Sequence, residues 1–393
     1  MRFLHTSDWH LGKPLRNRNR DPESETALAE VLDIARRESI DCLLVAGDVF
    51  DSVAPPPEAE RQFFEFVREL VGARIPAVII AGNHDHPRRL GAISRVLDLV
   101  DIQLRSESVR AADGGVVEVA SRDTETVATI ATLPWVPERK AREWGSLSTG
   151  QQFLDYADEV AKRIEELCES FRPSTVNLLL AHLYLSGAVV APESGERALH
   201  IGDVYGVAPQ RIPQSVQYAA LGHVHNPEQP RAFSMANAYY SGSLLQVDFG
   251  EAGQQKRVNI VDVKPGAHAK IEHIPLTNIK QLKNIGSHKE GLTLDQIKAQ
   301  AADAGDAYLK VFLKVDAPAP GLAEQVRELL PNTVDIVIQR SDAPQQHDHA
   351  YTGRLSPPEL FTAYHQQAYG AEPRAELVAL FNRLYEESPN EAA

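Results

Sequence analysis

Asp8 and His10 stand two residues apart in HTSDWHLG, directly after the apolar run Phe3-Leu4. A carboxylate and an imidazole at that spacing can hold a divalent cation, and a surface turn can equally use Ser7 and Asp8 to bond its own backbone. The same conjunction recurs along the chain. DCLLVAGD ends in Asp48, PAVIIAGNHD in Asn83, His84 and Asp85, NLLLAH in His182, and QYAALGH in His223 with His225 two residues on. Singly, Asp48 can cap a helix, Asn83 can hold a left-handed turn after Gly82, and any one histidine can be a polar core residue. Jointly, five apolar runs ending in oxygen and nitrogen ligands call for a metal centre.

Those runs are short and nearly continuous, the pattern of strands covered on both faces, and helical patterns separate several of them. Residues that end different strands of an α/β sheet gather along one carboxyl edge. One intervening stretch carries Leu28, Val31, Leu32 and Ala35 at helical spacing; another, introduced by PPPE, carries Phe63, Val67, Leu70 and Val71. A third, over 151–171, carries Phe153, Ala157, Val160, Ile164, Leu167 and Phe171. It reads as a covering helix, with a subunit interface as the alternative. Trp9 is expected in the core beside the site.

The chain has 393 residues, 43% of them hydrophobic and 24% charged, enough for two or three domains with their own cores. No apolar run reaches the ~18–20 residues of a membrane span. Nothing at the N-terminus resembles a signal peptide, so a cytoplasmic protein is expected. Cys42 and Cys168 share no metal-ligand spacing and read as packed thiols. A formal net charge of -14 argues against a broad nucleic-acid-coating surface, so any DNA contact must be local. The candidates are Lys13, Arg16, Arg18 and Arg20 in GKPLRNRNR, and Arg88 with Arg89 after His86; an ordinary solvated loop is the alternative.

From about residue 265 the pattern changes to a small second α/β unit: IEHIPL, a helix near 293–302, YLKVFLKVD, the helix GLAEQVRELL and VDIVIQR. A polar linker, SDAPQQHDHAYTGRLS, precedes two further helical patterns. Ser356-Pro357-Pro358-Glu359 is a helix start leading into Leu360, Phe361 and Tyr364. Beyond Pro373, Leu377, Leu380, Phe381, Leu384 and Tyr385 form one apolar stripe, which must be covered by the protein's own body or by a partner.

D-x-H, GD, GNHD, H and GHxH in this order and approximate spacing resemble the calcineurin-like metallophosphoesterase superfamily. Within it, HTSDWHLG, AGDVFDS, AGNHD, ALGHVH and YSGSLLQVDFGE are similar to the bacterial SbcD family of nuclease subunits, relatives of the Mre-type break-repair nucleases. The resemblance is strong over about residues 1–250 and weaker beyond. It implies an α/β fold, a four-layer metallophosphoesterase sandwich over 1–265, with a small α/β DNA-binding capping domain over 266–341. A linker over 342–355 and partner-docking helices over 356–393 would complete the chain.

Carried over by motif, the resemblance gives one metal ion Asp8, His10 and His225, the other Asn83, His182 and His223, and makes Asp48 the bridge. Two cations ~3.5–4 Å apart activate water, neutralise a phosphodiester and stabilise the leaving oxygen. His84 is implied to be the proton donor or stabiliser at the leaving group, with Asp85 orienting its ring. Oxygen and imidazole ligands without thiolate suit manganese, iron and zinc alike, and the resemblance favours manganese. It also implies exonuclease action on double-stranded ends, endonuclease action on single strands and hairpins, an SbcC-type coiled-coil ATPase partner, and a homodimer within a heterotetramer. The chain carries no G-x-x-x-x-G-K-[ST], so ATP must be handled by another chain. Asp51 departs from the family, because archaeal and eukaryotic relatives commonly carry a phosphate-placing histidine there. The alternatives are a small-molecule phosphodiesterase or phosphatase, and a non-catalytic scaffold for an ATPase.

Overall fold

The computed structural model describes residues 1–144, 152–190, 206–301, 304–315, 321–340, 361–362, 364–366 and 372–387. Each ligand-bearing apolar run forms a strand. β1 (Arg2–Thr6), β2 (Cys42–Ala46), β3 (Ala77–Ile80) and β4 (Ile102–Arg105) pair in parallel in that order. The chain then builds a second sheet from β5 (Val116–Ala120), β6 (Val127–Leu133), β7 (Val176–His182), β8 (Tyr218–Gly222) and β9 (Ala238–Tyr240), of which only β5 is antiparallel to its neighbour. β10 (Arg257–Asp262) and β11 (Lys270–Pro275) return to the first sheet, antiparallel beside β1. The two sheets therefore present their parallel strand ends along a shared edge.

Helices cover the outer faces: α1 (Asp21–Arg37), α2 (Pro57–Ala73) and α3 (Pro87–Leu97) on the first sheet, α4 (Glu138–Trp144), α5 (Gln152–Cys168) and α6 (Arg231–Met235) on the second. α1 opens with Asp21 and Glu23 and closes with Arg36 and Arg37, charges that complement its dipole. Side-chain alternation sorts each strand between two cores. Leu4, Leu43, Val45 and Ile79 meet Leu28, Val31, Phe63 and Leu70 of the helices. Phe3, Leu44, Val78 and Ile80 meet Ile130, Leu178, Leu180 and Tyr218 of the opposite sheet. Leu179, Ala219 and Leu221 meet Val160, Ile164 and Leu167 of α5, which is thus a covering helix. Each such fully buried aliphatic side chain contributes about 1.5–3 kcal/mol, and a one-residue slip would exchange the faces. Val71 departs from the expected stripe and stands exposed on α2. Trp9 is buried, with its ring edge-on to Phe66 and Nε1 donating to Thr6 Oγ1 at 3.0 Å.

The second unit contains β12 (Leu282–Ile285), β13 (Tyr308–Val315) and β14 (Thr333–Arg340), all parallel, with α7 (Leu294–Gln300) and α8 (Leu322–Leu329). Thr293 and Gln296 form a reciprocal capping box at the start of α7. IEHIPL, expected in this unit, lies in β11 except for its last residue, Leu276, and pairs with β10, so the second unit's own sheet begins at Leu282. The reason is reach: the turn after Asp262 is short enough to fold IEHIPL back along β10 before the chain leaves. The expected linker, the Ser356 helix start and Leu360 lie outside the described residues. Beyond them the described chain ends in α9 (Ala375–Glu387). Phe361 stacks on Phe381 at 4.5 Å, while Leu377 and Leu380 stand exposed; the side chain of Leu384 lies outside the described residues.

Candidate metal centre

The carboxyl ends of β1, β2 and β3 from one sheet and of β7 and β8 from the other deliver Asp8, His10, Asp48, Asn83, His84, His182, His223 and His225 to one buried cluster. Asp8, His10, Asp48 and His223 hold φ of 51, 46, 49 and 96°, the left-handed region that non-glycine residues rarely adopt. Such backbone strain gathers where a side chain must be aimed against local preference. The segments stay in register past the strand ends, with Asp8, His10 and Leu11 amides donating to Gly47, Asp48 and Val49 carbonyls at 3.0 Å.

Glycines before the ligands make room for them. A Cβ on Gly82 would lie 2.1 Å from Asp48 Oδ1, and one on Gly222 would lie 1.9 Å from the Ala46 carbonyl oxygen and 3.0 Å from His182 Nδ1. The AGN and LGH spellings are therefore steric requirements of neighbouring ligands.

Asp8, His10 and His225 bring ligand atoms within 4.8 Å of one another, as do Asp8, Asp48 and His182, and His10, Asp48 and His84. His10 Nε2 lies 3.0 Å from His225 Nε2. Asn83 Oδ1 lies 3.0 Å from His182 Nε2 and 2.8 Å from His223 Nδ1. Asp48 Oδ2 lies between the groups, 3.7 Å from His10 Nε2 and 3.5 Å from His182 Nε2, while Oδ1 accepts from the His84 amide at 2.8 Å.

The donor set fits divalent cations. His182 Nδ1 faces the Ala46 carbonyl at 2.8 Å, so that nitrogen carries the proton and Nε2 presents a lone pair to Asn83 and Asp48. Asn83 turns Oδ1 into the cluster while its buried Nδ2 has no hydrogen-bond partner, the orientation a ligating amide needs. Burial pushes His10 down to about 4 against the pull of Asp51 and Asp48, which keeps its imidazole neutral and able to ligate near neutral pH. Burial alone would raise Asp48, but the surrounding His182, His84 and His10 hold it below the ordinary carboxylate range. Lone pairs that face one another across 3 Å repel unless a cation lies among them. The arrangement is that of a dinuclear metal site.

His84 and Asp85 divide their roles differently from the expectation. The hydrogen bonds of Asp85 go to main-chain amides of Gly82, Val49 and Phe50 at 2.8, 3.1 and 3.0 Å, bolting the GNHD turn to the loop after β2. Burial and the charge of Asp48 push its carboxyl up to about 7. The His84 ring is instead oriented by the Asp51 carbonyl, 2.7 Å from Nδ1, and stands edge-on to His10. The turn geometry explains the correction: Asp85 points back beneath the loop, away from its neighbour's ring. Sequence reasoning also passed over Trp135, stacked on His223, and over Glu251 and Lys256 behind His225. The fragment VDFGE carried the signal for Glu251, an acid two residues beyond the buried Phe249.

The basic run is largely neutralised from within. Lys13 pairs with Asp51 at 2.7 Å, Arg16 with Asp248 and Asp335, Arg20 with Glu23, and Arg89 with Glu60. Arg20 is buried and also donates to the Gln246 carbonyl. Arg16 ties the first unit to β14, so this loop serves the joint between the two units rather than a free cationic patch. Arg18 and Arg88 form no ion pair among the described residues and keep their charge available.

A family model described as calcineurin-like phosphoesterase matches residues 1–227, and one described as type 5 capsule protein repressor C-terminal domain matches residues 275–369. The SbcD subunit of the nuclease SbcCD from Bacillus subtilis (strain 168) is 32% identical over 396 residues, 98% of this chain and 97% of that protein. Its counterpart from Staphylococcus epidermidis is 27% identical over 76% of each chain. That from Rhodobacter capsulatus is 30% identical over 70% of this chain and 69% of its own. With the ligand edge and the length matched together, the chain belongs to the calcineurin-like phosphoesterases and, among them, to the SbcD family of SbcCD nuclease subunits.

Proposed function

We propose that this protein is a metal-dependent DNA nuclease that hydrolyses phosphodiester bonds, as exonuclease on double-stranded ends and endonuclease on single strands and hairpins, working with an SbcC-type ATPase in DNA repair, replication and recombination. The observation that carries the reading is the convergence of the ligand-bearing ends of five strands from two sheets on one buried cluster, in a chain whose relatives are named as parts of the nuclease SbcCD. Asp8, His10 and His225 would hold one ion, Asn83, His182 and His223 the other, and Asp48 both, manganese being the metal favoured. Bound there, the ions supply water activation and charge neutralisation at the phosphodiester. His84, with Nδ1 committed to the Asp51 carbonyl, keeps Nε2 for the leaving oxygen as proton donor or stabiliser.

The unit over 266–341 would help to choose and hold DNA, with Arg18 and Arg88 as the cations left for phosphates. The region 356–393 would dock the ATPase, in a homodimer within a heterotetramer, in the cytoplasm. No helix among the described residues is long and apolar enough to cross a membrane. One observation favours a small-molecule phosphodiesterase instead: the net charge of -14, with most of the basic loop paired to acids. Manganese-dependent hydrolysis of hairpin DNA and of a nitrophenyl phosphodiester, with and without the ATPase, separates the readings. Hairpin cleavage stimulated by the partner and ATP is expected. Turnover of the small diester alone would overturn the nuclease reading, and no turnover of either would point to a scaffold.

A further inference from the structure

Behind His225 lies a pair of opposite charges that solvent does not reach. Glu251 and Lys256 are both fully buried, and Lys256 Nζ stands 2.8 Å from Glu251 Oε2. Withdrawing two charges from water costs several kcal/mol per ion, and apolar residues of the same volume commonly serve a fold as well. The surrounding bonds account for the pair's presence. Glu251 Oε1 lies 2.8 Å from His225 Nδ1, while Oε2 also accepts from Ser243 Oγ at 3.2 Å and from the Val247 amide at 3.1 Å. Lys256 Nζ donates in addition to the His225 carbonyl and to Gln254 Oε1, each at 2.9 Å. The lysine thus holds the backbone of His225 directly and its ring through the glutamate.

A carboxylate paired with lysine accepts and has no proton to give, so the proton in the contact with His225 belongs to Nδ1. Nε2 then carries the lone pair, aimed at the cluster of Asp8, His10 and His225. We propose that Glu251 and Lys256 are positioning residues of this centre, fixing His225 in the one tautomer and orientation that offer Nε2 to a divalent cation. The need is local. His182 is the last residue of β7, fixed by the ladder and by one main-chain carbonyl, whereas His225 lies three residues beyond β8 in a loop that no ladder orients. The paired lysine cancels the glutamate's charge, so the ring is fixed without adding a net anion beside the metals. Partners of this kind commonly contribute 10–100-fold to metal affinity.

The inference rests on the dinuclear reading, and its test separates the two. Two full-length variants, Glu251→Gln/Lys256→Met and Glu251→Leu/Lys256→Met, both remove the buried charges at similar volume. Only the first leaves an oxygen that can accept from His225. Manganese alone is titrated into each, with free ion followed by electron paramagnetic resonance and folding by thermal melting. Parent protein binding two ions is the control, and its failure would remove the dinuclear reading rather than this one. The Gln/Met variant is expected to stay within a few-fold of the parent, and the Leu/Met variant to bind one of its two ions at least 10-fold more weakly at an unchanged melting temperature. Equal affinities in the two variants would overturn the proposal. If the Leu/Met variant does not fold, Glu251→Asp, which withdraws the carboxylate but keeps its charge, takes its place, and parental affinity there would overturn the proposal equally.

Discussion

The main-chain carbonyl of Asp51 lies 2.7 Å from His84 Nδ1, and the Asp51 side chain lies 3.3 Å from His10 Nδ1 and 2.7 Å from Lys13 Nζ. One residue thus contacts the His10 ring, the His84 ring and the Lys13 ammonium. His84→Gln is expected to keep both metals and lower turnover about 100-fold, the scale for loss of a positioned acid. Asp51→Asn keeps the carbonyl, so it should cost far less. Metal analysis beside single-turnover cleavage checks both. Metal loss in His84→Gln would make His84 a ligand, and a deficit in Asp51→Asn as deep as that of His84→Gln would move the orienting role to the carboxylate.

Asp48 Oδ2 faces both halves of the cluster, His10 on one side and His182 on the other. Its removal leaves two cations without a shared anion, so Asp48→Ala should abolish hydrolysis, as should chelation of the parent. Near-normal manganese content with cleavage retained would contradict the bridging assignment.

Gly82→Ala tests the packing of the site without touching a ligand. The new Cβ would lie 2.1 Å from Asp48 Oδ1 and 2.4 Å from the Asp48 amide nitrogen, neither of which can retreat, since Asp48 also receives the His84 amide. Overpacking of this kind costs about 1–3 kcal/mol. A lower melting temperature and loss of at least one bound metal are expected. Unchanged metal stoichiometry would show that Asp48 is free to shift.

The ligand edge was legible because each strand wrote its own signal: an apolar run, often a glycine, then an oxygen or nitrogen ligand. Asp8 and His10 reach the cluster with His225 for that reason. The division into two sheets was less legible, since β2 and β7 have the same apolar texture and nothing local says which strand pairs with which. The role of Asp85 was misjudged because adjacency in GNHD says nothing of side-chain direction in a turn. Glu251 and Lys256 were passed over because their partner, His225, lies 26 and 31 residues away. The pairing of the basic loop was illegible for a similar reason: Asp248 and Asp335, which take up Arg16, are distant in sequence, and Asp335 belongs to the second unit.

His5 lies between the sheets, with Nδ1 2.9 Å from the Tyr218 hydroxyl and Nε2 3.2 Å from the Leu221 carbonyl. Burial pushes its pKa from 6.5 down to about 3. Between those values the unfolded chain binds a proton that the folded chain refuses, so stability falls as pH drops below about 6.5 and is indifferent to this group above it. The slope from one such group is at most ~1.4 kcal/mol per pH unit. Urea unfolding of metal-free protein at pH 7.5 and 5 should show a smaller acid loss in His5→Gln than in the parent. Identical losses would mean that the buried ring accepts the proton.

Leu377 and Leu380 stand exposed on α9 although Phe361 and Phe381 stack beside them, so the tail holds itself together and still presents apolar surface. Among the described residues, none of the tail's apolar side chains belongs to the cores beneath the metal centre. An amphipathic helix with one face open fits a groove on another chain, and the SbcD relatives are named as parts of an SbcCD assembly. Deleting residues 350–393 should therefore leave melting behaviour, manganese binding and weak cleavage near parental values, because the five ligand strands keep all their neighbours. Co-purification with the ATPase and stimulation by ATP should be lost. A finer variant, Leu377→Glu/Leu380→Glu, puts charge on the exposed stripe without shortening the chain and is expected to weaken capture of the partner at least 10-fold. Full-yield co-purification of the truncated chain would assign docking to another surface, and loss of folding on truncation would return the stripe to the protein's own body.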